Sequence, residues 1–129
     1  MLKDARVHPT LPAQDFERAK SFYRDKLGLE PQLETAGGAF YSVGERTRFL
    51  LFPTQGKPSG AHTQVGFTVT DVESEVRALQ AKGVEFEEYD YPQLKTENGI
   101  AKTPVGKAGW FKDSEGNMIG LIEFDDPPD

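Results

Sequence analysis

Two stretches of the chain follow one pattern: HPTLPAQDFERAKSFYRDKLGLE at residues 8–30 and QVGFTVTDVESEVRALQAKGVE at residues 64–85. Each opens with alternating apolar and polar residues, which is typical of a strand. An aspartate, Asp15 or Asp71, then stands where it can cap a helix, and apolar residues continue at helical spacing. A strand–helix unit that occurs twice predicts a fold with internal two-fold symmetry.

The repeat makes His8 and Gln64 equivalent, since each lies seven residues before its aspartate within a strand-like run. Both side chains can bind a metal or a polar ligand. Pro9 favours an extended backbone at His8, so this residue is held in a strand whether or not it has a function. A shared cavity is therefore expected at these two positions.

The remaining elements complete each repeat as βαβββ. Glycines at 28 and 83 are predicted to end the helices. Strands are predicted at about 6–13, 31–36, 38–44 and 47–53 in the first half, and at 62–69, 84–88, 107–113 and 117–124 in the second half. Residues 54–61 have the composition of a linker, and the polar segment 90–106 is interpreted as a cavity rim or lid, or as a tolerated insertion. We thus expect one α+β domain over residues 1–129, with module one at about 1–53 and module two at about 62–125.

Strand alternation assigns faces, because residues two apart in a strand point to the same side. Val7 and Leu11 are expected under the first helix, and Val65, Phe67 and Val69 under the second. Each of the aromatic pairs Phe40–Tyr41 and Trp110–Phe111 is expected to place one member on the opposite face. That face also receives His8, Thr10, Arg48, Leu50, Phe52, His62, Gln64, Gly66, Thr68, Met118, Gly120 and Ile122.

The composition argues against several classes of function. A formal net charge of −6 argues against a nucleic-acid-binding face, which needs clustered Lys and Arg. Without cysteine, the chain has no disulfide or thiolate chemistry. No apolar run has the length of a signal peptide or a membrane span, so no membrane partner is expected and a cytoplasmic location is the default. The sequence also shows no Ser-His-Asp arrangement, P-loop or dinucleotide-binding glycine motif.

Three segments, LPAQDFERAKSFYRDKLGLE, QVGFTVTDVESEVRALQAKGVEF and AGWFKDSEGNMIGLIEF, together resemble the vicinal oxygen chelate superfamily across nearly the whole chain. That superfamily includes glyoxalase I, extradiol dioxygenases, fosfomycin-resistance enzymes and bleomycin-resistance proteins. The resemblance implies paired βαβββ modules that form a curved eight-stranded cup with the helices outside, usually in a homodimer. A ferredoxin-like dimer of βαββαβ order is the alternative, and it would place two strands after each helix instead of three.

Metal-dependent members of the superfamily use a His or Gln on the first strand of each module and a Glu on the last strand. By position, the first-strand ligands fall on His8 and Gln64, and the last-strand ligands on Leu50 (or Arg48) and Gly120. The last-strand positions offer no carboxylate, whereas a catalytic zinc site normally has three or more protein ligands. We therefore expect no cofactor, and the alternative is a divalent metal ion at His8 and Gln64.

The opening LPAQDF, followed by FY, is most similar to the bleomycin-resistance branch, whose members sequester a ligand without chemistry. The sequence therefore favours a homodimer that binds a small organic molecule in an apolar cup, without a complete metal site. The alternative is a glyoxalase-like lyase or isomerase, metal-assisted or using His8 as general base. The expected ligand-binding residues are His8, Thr10, Tyr41, Arg48, Leu50, Phe52, His62, Gln64, Thr68, Trp110 and Gly120.

Overall fold

The structure, a computed structural model, describes residues 1–126, and this part of the chain contains ten strands and two α-helices. After a short 3-10 turn at Leu2–Asp4, the first half contains β1 (Thr10–Ala13), α1 (Phe16–Leu27), β2 (Leu33–Thr35), β3 (Gly38–Val43) and β4 (Thr47–Pro53). The second half contains β5 (Thr63–Thr68), α2 (Val72–Ala81), β6 (Asp90–Tyr91), β7 (Leu94–Glu97), β8 (Ile100–Thr103), β9 (Gly106–Lys112) and β10 (Met118–Phe124). Neither α-helix in these residues is long and apolar enough to cross a membrane.

Both helices begin at the aspartate predicted to cap them. The Asp15 carboxylate accepts a hydrogen bond of 3.0 Å from the Arg18 N–H, and Asp71 accepts one of 3.1 Å from the Ser74 N–H. Each bond satisfies one of the backbone N–H groups that the start of a helix leaves free. Gly28 follows α1 in the left-handed region, at φ 70°, which confirms it as the end of that helix.

The strands form two sheets. Sheet I has the order β1-β4-β3-β2, and sheet II has the order β5-β10-β9-β8-β7-β6. This confirms a mixed α+β fold, but the expected count of eight strands is not confirmed, because the described residues contain four strands in one sheet and six in the other. Three strands follow α1 and five follow α2, so the βαββαβ alternative is wrong.

Residues 90–106, predicted to form a rim or lid without strands, instead form hairpins that extend sheet II beyond β9. Asn98 and Gly99 connect β7 to β8 with φ values of 53° and 79°. A type I′ hairpin turn requires positive φ at both of these positions, and Asn-Gly is the strongest local signal for such a turn. The predicted strand at 84–88, by contrast, is reduced to a single bridge between Phe86 and Phe111.

One hydrophobic core lies between the helices and both sheets. Its buried members include Leu11, Tyr41, Phe49 and Leu51 on sheet I, Val65, Phe111, Ile119 and Leu121 on sheet II, and Val72, Val76 and Leu79 on α2. The alternation of the strands therefore predicts most of the buried side correctly. Val7 is the exception, since its side chain is 92% exposed and β1 begins only at Thr10.

A buried group of hydrogen bonds joins the two modules, and we call Tyr23, Asp113 and Asn117 the inter-module network. The Tyr23 hydroxyl of α1 donates to Asp113 Oδ2 at 2.7 Å. Asn117 Nδ2 donates to the same oxygen at 2.8 Å and to the backbone oxygen of Pro12, at the end of β1, at 3.0 Å. The turn between β9 and β10 is thereby fixed to both α1 and β1.

An ion pair supports the same contact at its outer side. Arg18 of α1 lies 2.8 Å from the carboxylate of Glu115, whose side chain is 1% exposed. Burial acts to raise the pKa of Glu115, but the hydrogen bonds from the Arg18 guanidinium and the Asp15 N–H outweigh it, so the pKa is lowered. Glu115 therefore stays ionised and paired near neutral pH.

Candidate functional site

The face of sheet I opposite α1 carries a half-buried, largely apolar surface, which we call open face I: His8, Phe40, Arg48, Leu50 and Phe52. Phe40 stands directly across from Leu50 in the β3–β4 register, and Phe52 stands across from Pro12 in the β1–β4 register. Directly paired residues share a face, and the next residues along the strands point to the helix side. The predicted set Arg48, Leu50 and Phe52 is therefore on the expected face.

His8 and Arg48 both contact the ring of Phe40. The imidazole meets this ring edge to face, with centroids 5.3 Å apart and planes at 73°, and the Arg48 guanidinium lies 5.3 Å from its centroid. His8 Nδ1 is buried and has no hydrogen-bond partner within the described residues. Open face I thus combines an aromatic surface, one cation and an imidazole free to bond a ligand.

Sheet II presents a second surface on the side away from α2, which we call open face II: the half-buried Tyr89 and Trp110 and the exposed Tyr91, together with the buried Met118 and Gly120 on the same face. Gly120 stands directly across from Trp110 in the β9–β10 register, and the indole covers it. Tyr89 meets the indole edge to face at 5.8 Å, and Tyr91 stacks on Tyr89 at 6.1 Å with its side chain 59% exposed. The result is a row of three aromatic rings, to which a planar ligand can bind by stacking.

The edge strands β1 and β5 meet along what we call the seam. Gln64 Nε2 donates a hydrogen bond of 3.3 Å to the backbone oxygen of Thr10 across it. Gln64 of β5 therefore lies beside β1, whereas His8 precedes β1 by two residues and is not part of a strand. In this arrangement Gln64 bonds to the protein itself, so it acts as a connector between the two modules.

The four positions that correspond to metal ligands do not fit a divalent ion. His8 offers one nitrogen, Gln64 already bonds to Thr10, and Leu50 and Gly120 offer no donor. A Cβ placed at 120 would lie 3.2 Å from the Trp110 indole nitrogen, so the indole fills the space that a carboxylate there would need. Within residues 1–126 no group of three His, Cys, Asp or Glu side chains is placed to hold a metal ion.

Tyr41 was predicted to bind ligand, and the structure corrects this. Its side chain is fully buried on the helix side of sheet I, stacked on Phe49 at 4.8 Å with the planes 6° apart. Tyr41 pairs directly with Phe49, so strand alternation places Phe40 on the open face instead. Tyr89 and Tyr91 were missed because their segment was interpreted as a loop, although tyrosines two residues apart are a strand signal.

Three other predicted residues, Thr10, His62 and Thr68, are exposed. The ring of His62 donates from Nδ1 to the backbone oxygen of its neighbour Thr63 at 3.1 Å. Among the predicted residues, the structure brings His8, Arg48, Leu50 and Phe52 together on one sheet, and Trp110 and Gly120 together on the other.

Solved structures of similar fold come from several bacteria. A superfamily member from Sphaerobacter thermophilus is 27% identical, with a TM-score of 0.71 over 95% of this chain and 99% of that one. TnmS3, an antibiotic-binding protein from Streptomyces sp. CB03234, is 23% identical, with a TM-score of 0.69 over 95% and 98%. Lactoylglutathione lyase from Agrobacterium tumefaciens is also 23% identical, with a TM-score of 0.64 over 93% of each chain.

Comparison with curated proteins gives no match. The profile of the Glyoxalase/Bleomycin resistance protein/Dioxygenase superfamily, however, matches residues 6–121. This range includes both repeats and both open faces, so the chain belongs to the glyoxalase/bleomycin resistance protein/dioxygenase superfamily.

Proposed function

We propose that this protein binds a small, planar, apolar molecule against open faces I and II, without a metal ion and without chemistry. The observation that carries the proposal is the aromatic row of Trp110, Tyr89 and Tyr91 beside a position, Gly120, that has no side chain of its own. Ligand sites are mainly apolar and aromatic, with a few polar groups that fix orientation. His8 and Arg48 supply such groups on open face I.

The relation to similar structures supports the same class of function. The Streptomyces protein TnmS3 is described as antibiotic-binding, which gives a precedent for ligand binding on this fold. Fold alone does not determine function, so the proposal depends on the two faces themselves. A homodimer is part of the proposal, because Leu50 and Phe52 are only half-buried and Leu33, on the same face, is 55% exposed.

Trp110 is the only tryptophan in the chain, so its fluorescence reports directly on open face II. We expect the neutral aromatic probe N-phenyl-1-naphthylamine to quench Trp110 on binding. Tyr91→Ala should weaken binding about 2- to 10-fold, because one aromatic contact contributes roughly 0.5–1.5 kcal/mol. Val105→Ala is the matched control, since Val105 is 53% exposed and lies outside both faces.

Binding that leaves Trp110 emission unchanged, or that responds equally to the two substitutions, would contradict this site. Light scattering in the same titration tests the homodimer, which should have twice the chain mass of 14.3 kDa. A single-chain mass at every concentration would remove the dimer from the proposal.

An isomerase or lyase that uses His8 as general base is the second candidate, and one observation favours it. The imidazole is half-buried and makes no hydrogen bond within the described residues; its Nδ1 is buried, so Nε2 is the atom that could accept a proton from a ligand. This candidate predicts turnover on a panel of electrophiles and 2-oxoaldehydes that falls at least roughly 100-fold in His8→Ala. Absence of turnover across the panel would leave the binding function alone.

A further inference from the structure

A groove of about 490 Å³ opens at one end of the seam, and we call it the seam groove. It lies where the paired part of β1 ends: the last backbone bond there runs from the Leu50 N–H to the oxygen of Pro9. On the N-terminal side of this point β1 no longer lies between the two sheets, and the start of β4 faces β5 across the gap. The volume falls within the range of about 300–1,000 Å³ that small-molecule sites usually have.

The interior of the seam groove is apolar. The half-buried Phe67 of β5 lies at its base and meets Phe49 of β4, a core residue only 2% exposed, edge to face with ring centroids 6.2 Å apart and planes at 77°. Val65 and Val43 extend this surface from the two sheets. Such a base suits the aromatic or aliphatic part of a ligand, because burying that part against it removes apolar surface from water.

The rim of the seam groove carries two arginines, Arg46 and Arg48. Within residues 1–126 neither makes an ion pair, although the chain has 21 acidic and only 15 basic residues. Glu45 is the one carboxylate among the described lining residues. In so acidic a chain, two adjacent arginines without acidic partners favour an anion from outside the chain.

Arg46 also occupies an uncommon backbone conformation. Its φ of 62° lies in the left-handed region, which glycine or asparagine adopts at lower cost. A residue of this kind costs on the order of 1 kcal/mol and occurs in tight turns and at functional sites. The β3–β4 turn thus keeps a long cationic side chain at the rim where a smaller residue would be easier to accommodate.

We propose that the seam groove binds a small carboxylic acid with an aromatic body, held by Arg46 and Arg48 through its carboxylate and by the half-buried Phe67 through its ring. Arginine presents a planar fork of N–H donors that matches a carboxylate. The Arg48 guanidinium lies 5.3 Å from the Phe40 ring centroid, and this contact needs no hydrogen bond from its N–H groups, which can donate to a carboxylate. This site is separate from the ring row of open face II and does not depend on the function proposed for that face.

The test compares naphthoate with its neutral isostere naphthamide by titration calorimetry on the full chain. Naphthoate should bind at least roughly tenfold more tightly, and Arg46→Gln and Arg48→Gln should each remove about tenfold of that preference, because hydrogen bonds to charged groups are strong. Naphthamide binding should not change in Arg46→Gln, because Arg46 belongs to neither open face. Arg24→Gln is the control, since Arg24 pairs with Asp25 on α1 and does not line the groove.

Equal affinity for the two compounds, or a naphthoate preference that survives both substitutions, would overturn the proposal. The Arg46 result is independent of the function proposed above, because Arg46 lines the groove and belongs to neither open face, whereas Arg48 belongs to both the groove and open face I. Quenching of Trp110 by the neutral probe should be the same in Arg46→Gln as in the unmodified protein. If the neutral probe does not quench Trp110 but naphthoate is still preferred, only the open-face site is contradicted. If the probe quenches Trp110 but naphthoate is not preferred, only the seam groove is contradicted.

Discussion

Replacing Asp113 with alanine is expected to lower the free energy of unfolding by roughly 3 to 5 kcal/mol, more than any other single change considered for this chain. Its carboxylate is 6% exposed and accepts four hydrogen bonds. The Tyr23 hydroxyl and Asn117 Nδ2 donate to Oδ2 at 2.7 and 2.8 Å, and the N–H groups of Glu115 and Asn117 each donate to Oδ1 at 2.9 Å. Alanine would leave these donors buried without a partner.

The loss should be larger than a turn alone would explain, because the network connects separate modules. Tyr23 belongs to module one, while Asp113 and Asn117 belong to module two, so the substitution also weakens the attachment of α1 to sheet II. Urea unfolding followed by circular dichroism measures the change. Asp90→Ala, at an exposed carboxylate on β6, is the control and should change stability by less than about 0.5 kcal/mol.

A double-mutant cycle distinguishes the network from simple strain in the turn. If Tyr23 and Asp113 interact as the 2.7 Å bond indicates, the effects of Tyr23→Phe and Asp113→Ala should be non-additive by at least roughly 1 kcal/mol. Additive effects, or an Asp113→Ala loss below about 1 kcal/mol, would show that the carboxylate is not a strong partner of these donors.

Local patterns predicted the parts of the fold that local physics determines. Asp15 and Asp71 cap helices because a carboxylate at that position bonds an N–H three residues later. Strand alternation assigned Phe49 and Leu51 to the buried side and Leu50 to the open side because the period of two is a property of the backbone itself. These inferences need no knowledge of what lies elsewhere in the chain.

The parts of the fold that the sequence analysis did not predict depend on contacts between distant residues, or on the turn at Asn98-Gly99. The contact between Tyr23 and Asp113 spans 90 residues, and no local pattern predicts it. β1 is shorter than predicted because β4 bonds it only from Pro9 onward, which leaves Val7 exposed. Asn98-Gly99, by contrast, was visible in the sequence and could have revealed the hairpins of residues 90–106.

The candidate site also has features that the sequence predicts and features that only the structure shows. Alternation placed Leu50 and Gly120 on the faces away from the helices, but it could not show that the Trp110 indole covers Gly120. That contact depends on a side-chain rotamer and on the register of two strands. The row from Trp110 to Tyr91 likewise exists only because the segment before β6 runs beside β9, where the Glu87 N–H bonds the Trp110 oxygen; this requires the three-dimensional structure.

Tyr41→Phe is expected to raise the free energy of unfolding by about 1–3 kcal/mol, whereas Tyr23→Phe is expected to lower it by about 1.5–3 kcal/mol. Both tyrosines are fully buried in one aromatic cluster, with ring centroids 5.6 Å apart. The Tyr41 hydroxyl has no hydrogen-bond partner within the described residues, and the Tyr23 hydroxyl bonds Asp113. The same chemical change therefore removes an unsatisfied polar group at one position and a charged-group hydrogen bond at the other.

Relative to the unmodified protein, both substitutions should become more favourable at alkaline pH. Burial, with a smaller contribution from the charge of Glu34, raises the pKa of Tyr41 to about 12, and burial raises the pKa of Tyr23 well above its usual value. An unfolded tyrosine releases its proton near pH 10, whereas the folded protein retains it, so stability falls as the pH rises above about 10. By about pH 11, Tyr41→Phe should therefore gain on the order of a further 1 kcal/mol over the unmodified protein.

Unfolding free energies measured from about pH 7 to pH 11 on both variants test this directly, since neither substitution changes the charge of the chain near neutrality. A destabilised Tyr41→Phe protein would mean that the hydroxyl has a partner, such as an ordered water, inside the core. Equal pH dependence in Tyr41→Phe and the unmodified protein would mean that the raised pKa does not contribute. Stabilisation by Tyr23→Phe would contradict both this account and the strength assigned to the inter-module network, because the two depend on the same buried bond.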